Sequence, residues 1–195
     1  MSETKFRKIN NLLGWFVFSI ALITYGLTVE PTASYWDAGE YIATSAKLQV
    51  GHPPGAPLYQ MLGAVFSLFA TDTEKIALAV NYLSVVSSAF VILFLFWSIT
   101  LLLRKIYDIN DQINSRNIFL SAVIGSLAYT FSDSFWFSAV ESEVYALAMF
   151  FLASTFWLGL RWEKDFYTER GDKWLVLISF MIGLSFGVHF MAILT

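Results

Sequence analysis

The stretch "IALAVNYLSVVSSAFVILFLFWSITLLL", from Ile76 to Leu103, contains no charged residue. As an α-helix it would be about 42 Å long, which exceeds the roughly 30 Å hydrocarbon core of a bilayer. It therefore predicts a membrane-spanning helix. Three further uncharged runs are near or above the roughly 17–25 residues that a span needs: Leu12–Val29, Val144–Leu160 and Trp174–Thr195.

The composition supports the same class of protein. The chain is 57% hydrophobic and only 14% charged, with a mean hydropathy of +0.61. Soluble domains are about 45–50% apolar and about 25% charged. The sequence has no cysteine, so disulfides and thiolate metal sites are excluded. The predicted fold class is an all-α polytopic membrane protein, and no nucleic-acid partner is expected.

The cationic residues predict how the spans are oriented. The segment Pro57–Ala70 is too short to cross a bilayer, and a crossing there would place Arg104 and Lys105 outside. We therefore predict interfacial helices at about 36–50 and 57–70. The five predicted spans are about 12–29, 76–103, 117–132, 144–160 and 174–195.

This topology separates the charges across the membrane. Only Lys47 and Lys75 lie on the outer face, together with eight acidic residues, for a net charge of −6. The other ten cations are cytoplasmic, a strong positive-inside bias that also places the N-terminus inside. The stretches 104–116 and 161–173 are expected to be solvated inner connectors. Because the chain stops in an apolar run, we expect it to be the N-terminal part of a larger protein.

A polar segment follows the first predicted span. The sequence "SYWDAGEYIATSAK" predicts a helix with Ser34 as its N-cap. On this helix Asp37, Glu40, Thr44 and Lys47 share one face, which would place two carboxylates in a cavity above the membrane. The alternative is structural, since Ser34 and Asp37 match a capping box and acids in a first turn favour the helix dipole.

The next motif, "GHPPGAP", has two glycines and three prolines at residues 51–57. Proline and the residue before it disfavour helix, so the motif is a plain turn or a rigid elbow. As an elbow it would hold His52 beside the carboxylates, where an imidazole can donate to a phosphate or to a carboxylate.

A second group of candidates precedes and begins the fourth span. Glu141 and Glu143 stand just before it, and Tyr145 is four residues after Glu141. The structural alternative is that acids at a helix N-terminus only stabilise the helix. His189 is predicted in the outer half of the fifth span, where an ionisable group is a functional candidate by default.

Five motifs occur in an order and spacing that resemble a large bacterial family of multi-pass proteins. Its animal relatives are transmembrane protein O-mannosyltransferases. The motifs are "YWDAGEY" (35–41), "GHPPGAPLYQMLG" (51–63), "NYLSVVSSA" (81–89), "ESEVYAL" (141–147) and "GLSFGVHFMAIL" (183–194). The family is similar to the GT-C glycosyltransferases, so the resemblance implies a GT-C-like transmembrane bundle. Its first external loop would contain amphipathic, juxtamembrane helices.

The resemblance also implies an activity. A hexose, most simply mannose, would pass from a polyprenyl-phosphate sugar to a Ser or Thr hydroxyl of a secreted or periplasmic protein. The site would lie at the outer face of the bacterial inner membrane. No cofactor and no metal site are expected, although the resemblance leaves room for a divalent metal.

The resemblance assigns roles to the candidate residues. Asp37 or Glu40 is the catalytic base. The family's two acids are adjacent, whereas Ala38 and Gly39 separate them here, so both remain candidates. The expected substrate-binding or donor-binding residues are His52, Lys47, Glu141, Glu143, Tyr145 and His189.

Two other classes of function fit parts of the sequence. In a proton-coupled transporter or flippase-like carrier, an intramembrane His189 and the acidic cavity would be proton or substrate sites. In a non-catalytic assembly subunit, the acids would only cap helices.

Overall fold

All regular structure in the residues that the computed structural model describes, 1–168 and 170–189, is helical. A short 3₁₀ turn, Thr73–Lys75, leads into the fourth helix. The prediction of an all-α membrane protein is confirmed. The helices are α1 (Glu3–Leu27), α2 (Ala38–Lys47), α3 (Pro57–Ser67), α4 (Ile76–Leu103), α5 (Gln112–Thr130), α6 (Asp133–Ala139), α7 (Val144–Asp165) and α8 (Gly171–Ser185).

Three helices in the described part of the chain are long and apolar enough to cross a membrane: α1, α4 with its leading 3₁₀ turn, and α7. A fourth candidate is α5 together with α6, which are bent by 67° at the break between them. The predicted fifth span, 174–195, lies partly outside the described residues. Within them, α8 ends at Ser185.

Helix α4 is the centre of the bundle and packs against α1, α5 and α7. Its Val85, Ala89, Ile92 and Phe96 are fully buried. Small residues, among them Ser84, Ser87 and Ser88, also lie on the buried surface of α4. Small side chains allow helix backbones to approach closely, which is how apolar helices associate without a hydrophobic driving force from water.

The bundle has two chemically different ends. One, here called the α2 end, consists of residues 28–75 and 131–143. The other, here called the basic end, consists of residues 1–8, 104–116 and 161–173, where the sequence has ten cations and seven acids, a net charge of +3. The N-terminal amine donates to the Ile109 carbonyl at 2.7 Å, which ties the start of α1 to this end.

Helices α2 and α3 form a hairpin on the side of α4. The hairpin is tight because Gly63 faces Ser45, and a Cβ on Gly63 would lie only 2.8 Å from the Ser45 Cβ. At 11 residues, α3 is about 16 Å long, far shorter than a membrane span. Its location at the membrane surface stays a prediction.

Three helices have bounds that the sequence did not predict. Helix α2 begins at Ala38, not after Ser34. Helix α5 begins inside the predicted connector, because the Asp111 carboxylate caps it by accepting from the Ile113 N–H at 2.8 Å. Helix α7 continues five residues beyond Leu160 to Asp165, because the charged residues after Leu160 are good helix formers.

Candidate active site

A buried amide on α4 anchors the loop that carries the first acidic motif. The Asn81 side chain donates to the carbonyl oxygens of Glu30 at 2.6 Å and Thr32 at 3.0 Å. Its own carbonyl oxygen accepts from the Ser142 hydroxyl in the second loop. Asn81 is 1% exposed. One buried side chain therefore fixes both loops of the α2 end relative to the bundle.

Sequence reasoning did not identify Asn81 or Ser142 as site residues. A signal was present, because Asn81 is the one amide side chain in the uncharged run of α4 and Ser142 lies between two glutamates. Buried polar groups in an apolar helix are almost always hydrogen-bonded. An isolated asparagine in a predicted span is thus a marker of a structural connection.

At the start of α2, the Asp37 carboxylate is exposed and is not used to cap the helix. The preceding residue, Trp36, has a φ of +60°, a conformation that is uncommon outside glycine and that turns the chain sharply. Asp37 is the N-cap of α2, but its side chain makes no capping hydrogen bond and is 56% exposed. The capping box predicted from Ser34 and Asp37 is wrong, because the helix begins after Asp37.

Glu40 is fully engaged with the elbow residue His52. Its Oε1 accepts the His52 backbone N–H at 2.6 Å, and its Oε2 lies 3.0 Å from Nδ1 of the His52 ring. These contacts lower the pKa of Glu40, chiefly through the backbone N–H, and the hydrogen bond to Glu40 raises the pKa of His52. Glycine at position 51 allows this close approach, since a Cβ there would lie 2.9 Å from Gln60 Nε2 and 3.0 Å from Glu40 Oε1.

The His52 ring lies between the two carboxylates. Its Nε2 is 3.9 Å from Asp37 Oδ2, on the side of the ring opposite Glu40. One ligand atom from each of Asp37, Glu40 and His52 can be chosen so that all lie within 4.8 Å of one another. Carboxylate oxygens and an imidazole nitrogen are ligands that Zn²⁺ accepts. The three side chains could hold a divalent cation; the sequence analysis placed His52 beside the carboxylates but expected no metal site there.

Glu143 brings the second acidic motif to the same place. It is the N-cap of α7 and only 7% exposed, and the backbone N–H groups of Asp37 and Val144 lie close enough to its carboxylate to favour the charged form. Burial, followed by the charges of Glu141 and Asp37, raises the pKa of Glu143 to about 7. Glu141 is 4% exposed, and burial raises its pKa as well.

Tyr41 forms the floor of the cluster. Its ring centroid is 5.2 Å from that of Tyr59 and 6.3 Å from that of His52. Burial raises the pKa of the Tyr41 hydroxyl to about 12, with further contributions from the charges of Glu143, Asp37 and Glu40. The sequence analysis did not single out Tyr41 as a site residue, because it lies on the apolar face of α2.

The remaining predicted residues lie at different distances from this cluster. Lys47 is exposed in the last turn of α2 and, within residues 1–168 and 170–189, forms no ion pair with it. Tyr145 and His189 have ring centroids 5.5 Å apart. His189 follows the end of α8 at Ser185, and its place in the outer half of a fifth span stays a prediction. The Leu58 N–H, on α3, donates to the Gly187 carbonyl at 2.7 Å and holds this segment against α3.

Fold and site together define a helical membrane protein with a carboxylate–imidazole cluster between two anchored loops at one end of its bundle. The chain belongs to the family described as the Protein O-mannosyl-transferase TMEM260 N-terminal domain, whose model matches residues 37–195. The match begins at Asp37 and covers most of the chain.

Two curated proteins illustrate the relationship. The protein O-mannosyl-transferase tmem260 of Dictyostelium discoideum is 25% identical over 181 residues, covering 87% of this chain and 20% of the relative. The protein O-mannosyl-transferase TMEM260 of Mus musculus is 25% identical over 170 residues, covering 87% of this chain and 22% of the relative. The chain thus spans about a fifth of the length of these relatives. No solved structure matches it.

Proposed function

We propose that this chain carries the catalytic base of a GT-C-type membrane glycosyltransferase. It would move a hexose, in the simplest case mannose, from a polyprenyl-phosphate donor to a Ser or Thr hydroxyl of a secreted protein. The observation that carries the proposal is the Asp37–His52–Glu40 cluster, in a chain whose relatives are named protein O-mannosyl-transferases.

Asp37 is the better candidate for the base. Both oxygens of Glu40 already accept hydrogen bonds from His52, whereas the Asp37 carboxylate is half exposed and does not cap α2. A base must reach the proton that it removes from the acceptor. Glu40 then acts as a positioning residue, because it fixes the His52 ring beside Asp37.

The reaction is a displacement at the anomeric carbon. The acceptor hydroxyl oxygen forms the new bond to this carbon and its proton passes to Asp37. The bond from the anomeric carbon to the phosphate oxygen breaks, and polyprenyl phosphate leaves with the bonding electron pair. Positive charge develops on the sugar ring in the transition state, so the nearby carboxylates stabilise it.

His52 and Glu143 have supporting roles. A His52 whose pKa is raised by Glu40 can donate from Nε2 to an oxygen of the acceptor or of the phosphate. Glu143 lies beside the backbone N–H of Asp37 and so places the N-terminus of α7 next to the base. Two further assignments stay predictions. Lys47 would bind the phosphate, and the substrate would be bound by Glu141, Tyr145 and His189.

The location proposed for this site is the outer face of the bacterial inner membrane. Support comes from the separation of charge in the sequence, with a net −6 at the α2 end and +3 at the basic end, since cations accumulate on the cytoplasmic side. A donor anchored in the membrane presents its head group at the same surface.

The two alternatives have less support from the geometry. A carrier was considered because His189 was expected within a span, whereas α8 ends before His189. An assembly subunit required the acids to act as helix caps, and neither Asp37 nor Glu143 makes a side-chain capping hydrogen bond.

The test is transfer of radiolabelled mannose from polyprenyl-phosphate mannose to a Ser/Thr peptide by the full-length protein in detergent. Asp37→Asn should lower the rate by about 10²–10⁴-fold, the usual contribution of a positioned base. Asp133→Asn is the matched control, because Asp133 is an exposed acid at the same end, and it should leave the rate unchanged.

Two results would overturn parts of this proposal. Equal transfer by wild type and Asp37→Asn would remove Asp37 as the base. Absence of transfer by the wild-type protein, with several polyprenyl-linked sugars tried, would remove the glycosyltransferase assignment itself.

A further inference from the structure

The basic end of the bundle contains a cavity that the proposed reaction does not use. It has a volume of about 250 Å³ and lies between the first turns of α1 and the last turns of α4 and α7. Its lining includes four cationic side chains and one carboxylate, Glu3. The cations are Arg7, Arg104, Arg161 and Lys164.

Two of these cations are held rigidly by neighbouring side chains. The Arg104 guanidinium lies 2.7 Å from a Glu3 carboxylate oxygen and 4.8 Å from the centroid of the Phe6 ring. Arg161 lies against the rings of Trp157 and Trp174, at 5.8 Å and 5.3 Å. Such stacking fixes the planar guanidinium in a position from which it can bind a phosphate with two hydrogen bonds.

Within the described residues, the other two cations have no counter-ion. Across residues 1–168 and 170–189, neither Arg7 nor Lys164 forms an ion pair. With Glu3 included, the lining carries a net charge of +3. Like charges gathered around one cavity repel one another, and a bound anion would remove that repulsion.

Three buried polar atoms of residues in the wall also lack a hydrogen-bond partner within the described chain: Asn10 Oδ1, Trp97 Nε1 and Arg161 Nε. Arg161 Nε is a donor, which a phosphate oxygen can accept, whereas Trp97 Nε1 faces α1, where a Cβ on Gly14 would lie 2.5 Å from it. Asn10 Oδ1 is an acceptor, which a hydroxyl group can satisfy. Buried polar atoms without partners are rare in folded proteins and often mark a missing ligand or water.

A second cavity of about 250 Å³ adjoins the first and shares Leu101, Arg104 and Lys164 with it. Leu101 and Leu160 give its wall an apolar part. The membrane-spanning candidates α1, α4 and α7 have ends here, at the level where lipid head groups lie. Basic pockets between membrane helices are typical sites for anionic head groups.

We propose that this cavity binds a phosphate-bearing anionic head group that also carries a hydroxyl, with the attached chain passing along Leu101 and Leu160. Arg104 and Arg161 contact the phosphate, and Arg7 and Lys164 neutralise its charge. The site is independent of the glycosyltransferase proposal, because it lies at the opposite end of the bundle.

The test measures how much radiolabelled phosphatidylglycerol the full-length protein retains in detergent, with excess phosphatidylcholine as the neutral competitor. Arg7→Gln/Lys164→Gln should lower the affinity by at least about tenfold, because hydrogen bonds to charged groups contribute strongly to binding.

The matched control is Lys8→Gln/Lys173→Gln. These lysines are exposed, lie at the same end and do not line either cavity, so the control removes the same charge and should retain the lipid as the wild type does. An equal loss in the control, or no selectivity of the wild type for phosphatidylglycerol, would overturn the proposal. Circular dichroism of each variant verifies its fold.

A second arm separates a lipid head group from a free phosphate. Inorganic phosphate and glycerol 3-phosphate are added at millimolar concentration, and the thermal unfolding of wild type and Arg7→Gln/Lys164→Gln is compared. Stabilisation of the wild type alone by these soluble anions, without retention of lipid, would assign the site to a free phosphate and overturn the lipid source.

Discussion

The two ends of the bundle hold their charged residues in different ways. In the candidate site at the α2 end, the Glu40 carboxylate accepts the His52 backbone N–H, and the buried Glu143 carboxylate lies beside the backbone N–H groups of Asp37 and Val144. At the basic end, three of the cations that line the two cavities pair through long side chains: Arg104 with Glu3, Lys105 with Glu163, and Arg161 with Asp165. Backbone partners fix a carboxylate in space, whereas exposed ion pairs lose side-chain entropy and contribute little. The comparison indicates that the α2 end is built for fixed geometry and the basic end for the presentation of charge.

The largest effect should come from the amide that organises the α2 end. Asn81→Leu leaves the carbonyl oxygens of Glu30 and Thr32 and the Ser142 hydroxyl without their partner. We expect the free energy of unfolding to fall by about 2–4 kcal/mol, because buried polar groups would lose their hydrogen bonds. Thermal unfolding in detergent measures this, and mannose transfer should fall in parallel.

The control for that substitution is on the same helix. Ser88 is buried, and its hydroxyl has no hydrogen-bond partner within the described residues. Ser88→Ala should therefore change the free energy of unfolding by less than about 1 kcal/mol. A similar loss in both variants would mean that α4 is sensitive to any buried substitution and that Asn81 has no special role.

The next effect concerns pH. The folded state raises the pKa of Glu143 to about 7 from 4.5, so folded protein binds its proton more tightly than unfolded protein. This contribution to stability is fully present below pH 4.5 and is lost as the pH rises through about 7. We expect Glu143→Gln, which cannot ionise, to gain about 1–3 kcal/mol relative to wild type between pH 4.5 and pH 8.

Melting temperatures of both proteins, measured across this pH range, check the prediction. Glu74→Gln serves as the reference, since Glu74 is exposed in the 3₁₀ turn of the same end. Its difference from wild type should stay constant with pH. Parallel curves for Glu143→Gln and wild type would contradict the raised pKa.

A smaller effect should follow from weakening the contact that holds the His52 ring in place. Glu40→Gln removes the negative charge beside His52 Nδ1, so the pKa of His52 should fall toward its ordinary value, with Asp37 still raising it. Transfer should slow by about tenfold to a hundredfold, because the ring would be less well positioned. Proton NMR titration, with the His52 signals assigned by their absence in His52→Gln, follows the pKa of this ring.

This prediction separates positioning from base catalysis. If Glu40→Gln abolishes transfer as completely as Asp37→Asn does, then Glu40 is more than a positioning residue. An unchanged His52 titration would show that the contact at 3.0 Å does not govern the ring.

The smallest effect is expected at the basic end. Glu3→Gln removes the partner of Arg104, in a pair whose glutamate side chain is 57% exposed. Such pairs are worth at most about 1 kcal/mol and are screened by salt. Chemical denaturation at low and high ionic strength should show a small difference that disappears with salt. If Glu3→Gln lowered the free energy of unfolding as much as Asn81→Leu does, the basic end would depend on fixed contacts as strongly as the α2 end, and the contrast between the two ends would fail.

Much of the fold follows from the length of the uncharged runs. Ile76–Leu103 is a helix with those bounds, and α7 begins at Val144 as expected. Composition alone did not predict the start of α5 or the end of α7. Polar residues extend both helices, because Gln112 and the residues after Leu160 form helix as readily as apolar ones. The turn at Trp36, which moved the start of α2, depends on a left-handed residue that no local pattern indicated.

The candidate site was only partly predictable. The elbow brings His52 to Glu40, as the functional interpretation of the motif expected. The choice between Asp37 and Glu40 could not be made from sequence, because it depends on which oxygens are already hydrogen-bonded. Asn81 and Tyr41 were missed because a buried amide and a floor aromatic act through tertiary contacts, which sequence spacing does not show.

The connection through Asn81 has a consequence for biosynthesis. Its partners are separated from it by 51, 49 and 61 residues, and Glu30 and Thr32 are translated before it whereas Ser142 comes after it. When α4 enters the membrane, its amide can hold the first loop, but its oxygen has no partner until the ribosome has passed Ser142. The nascent chain therefore completes the hydrogen bonds of Asn81 only when α7 begins to insert. In a chain stalled within α5, the Asn81 side-chain oxygen would still lack its partner, which would expose the incomplete α2 end to the cell's quality control.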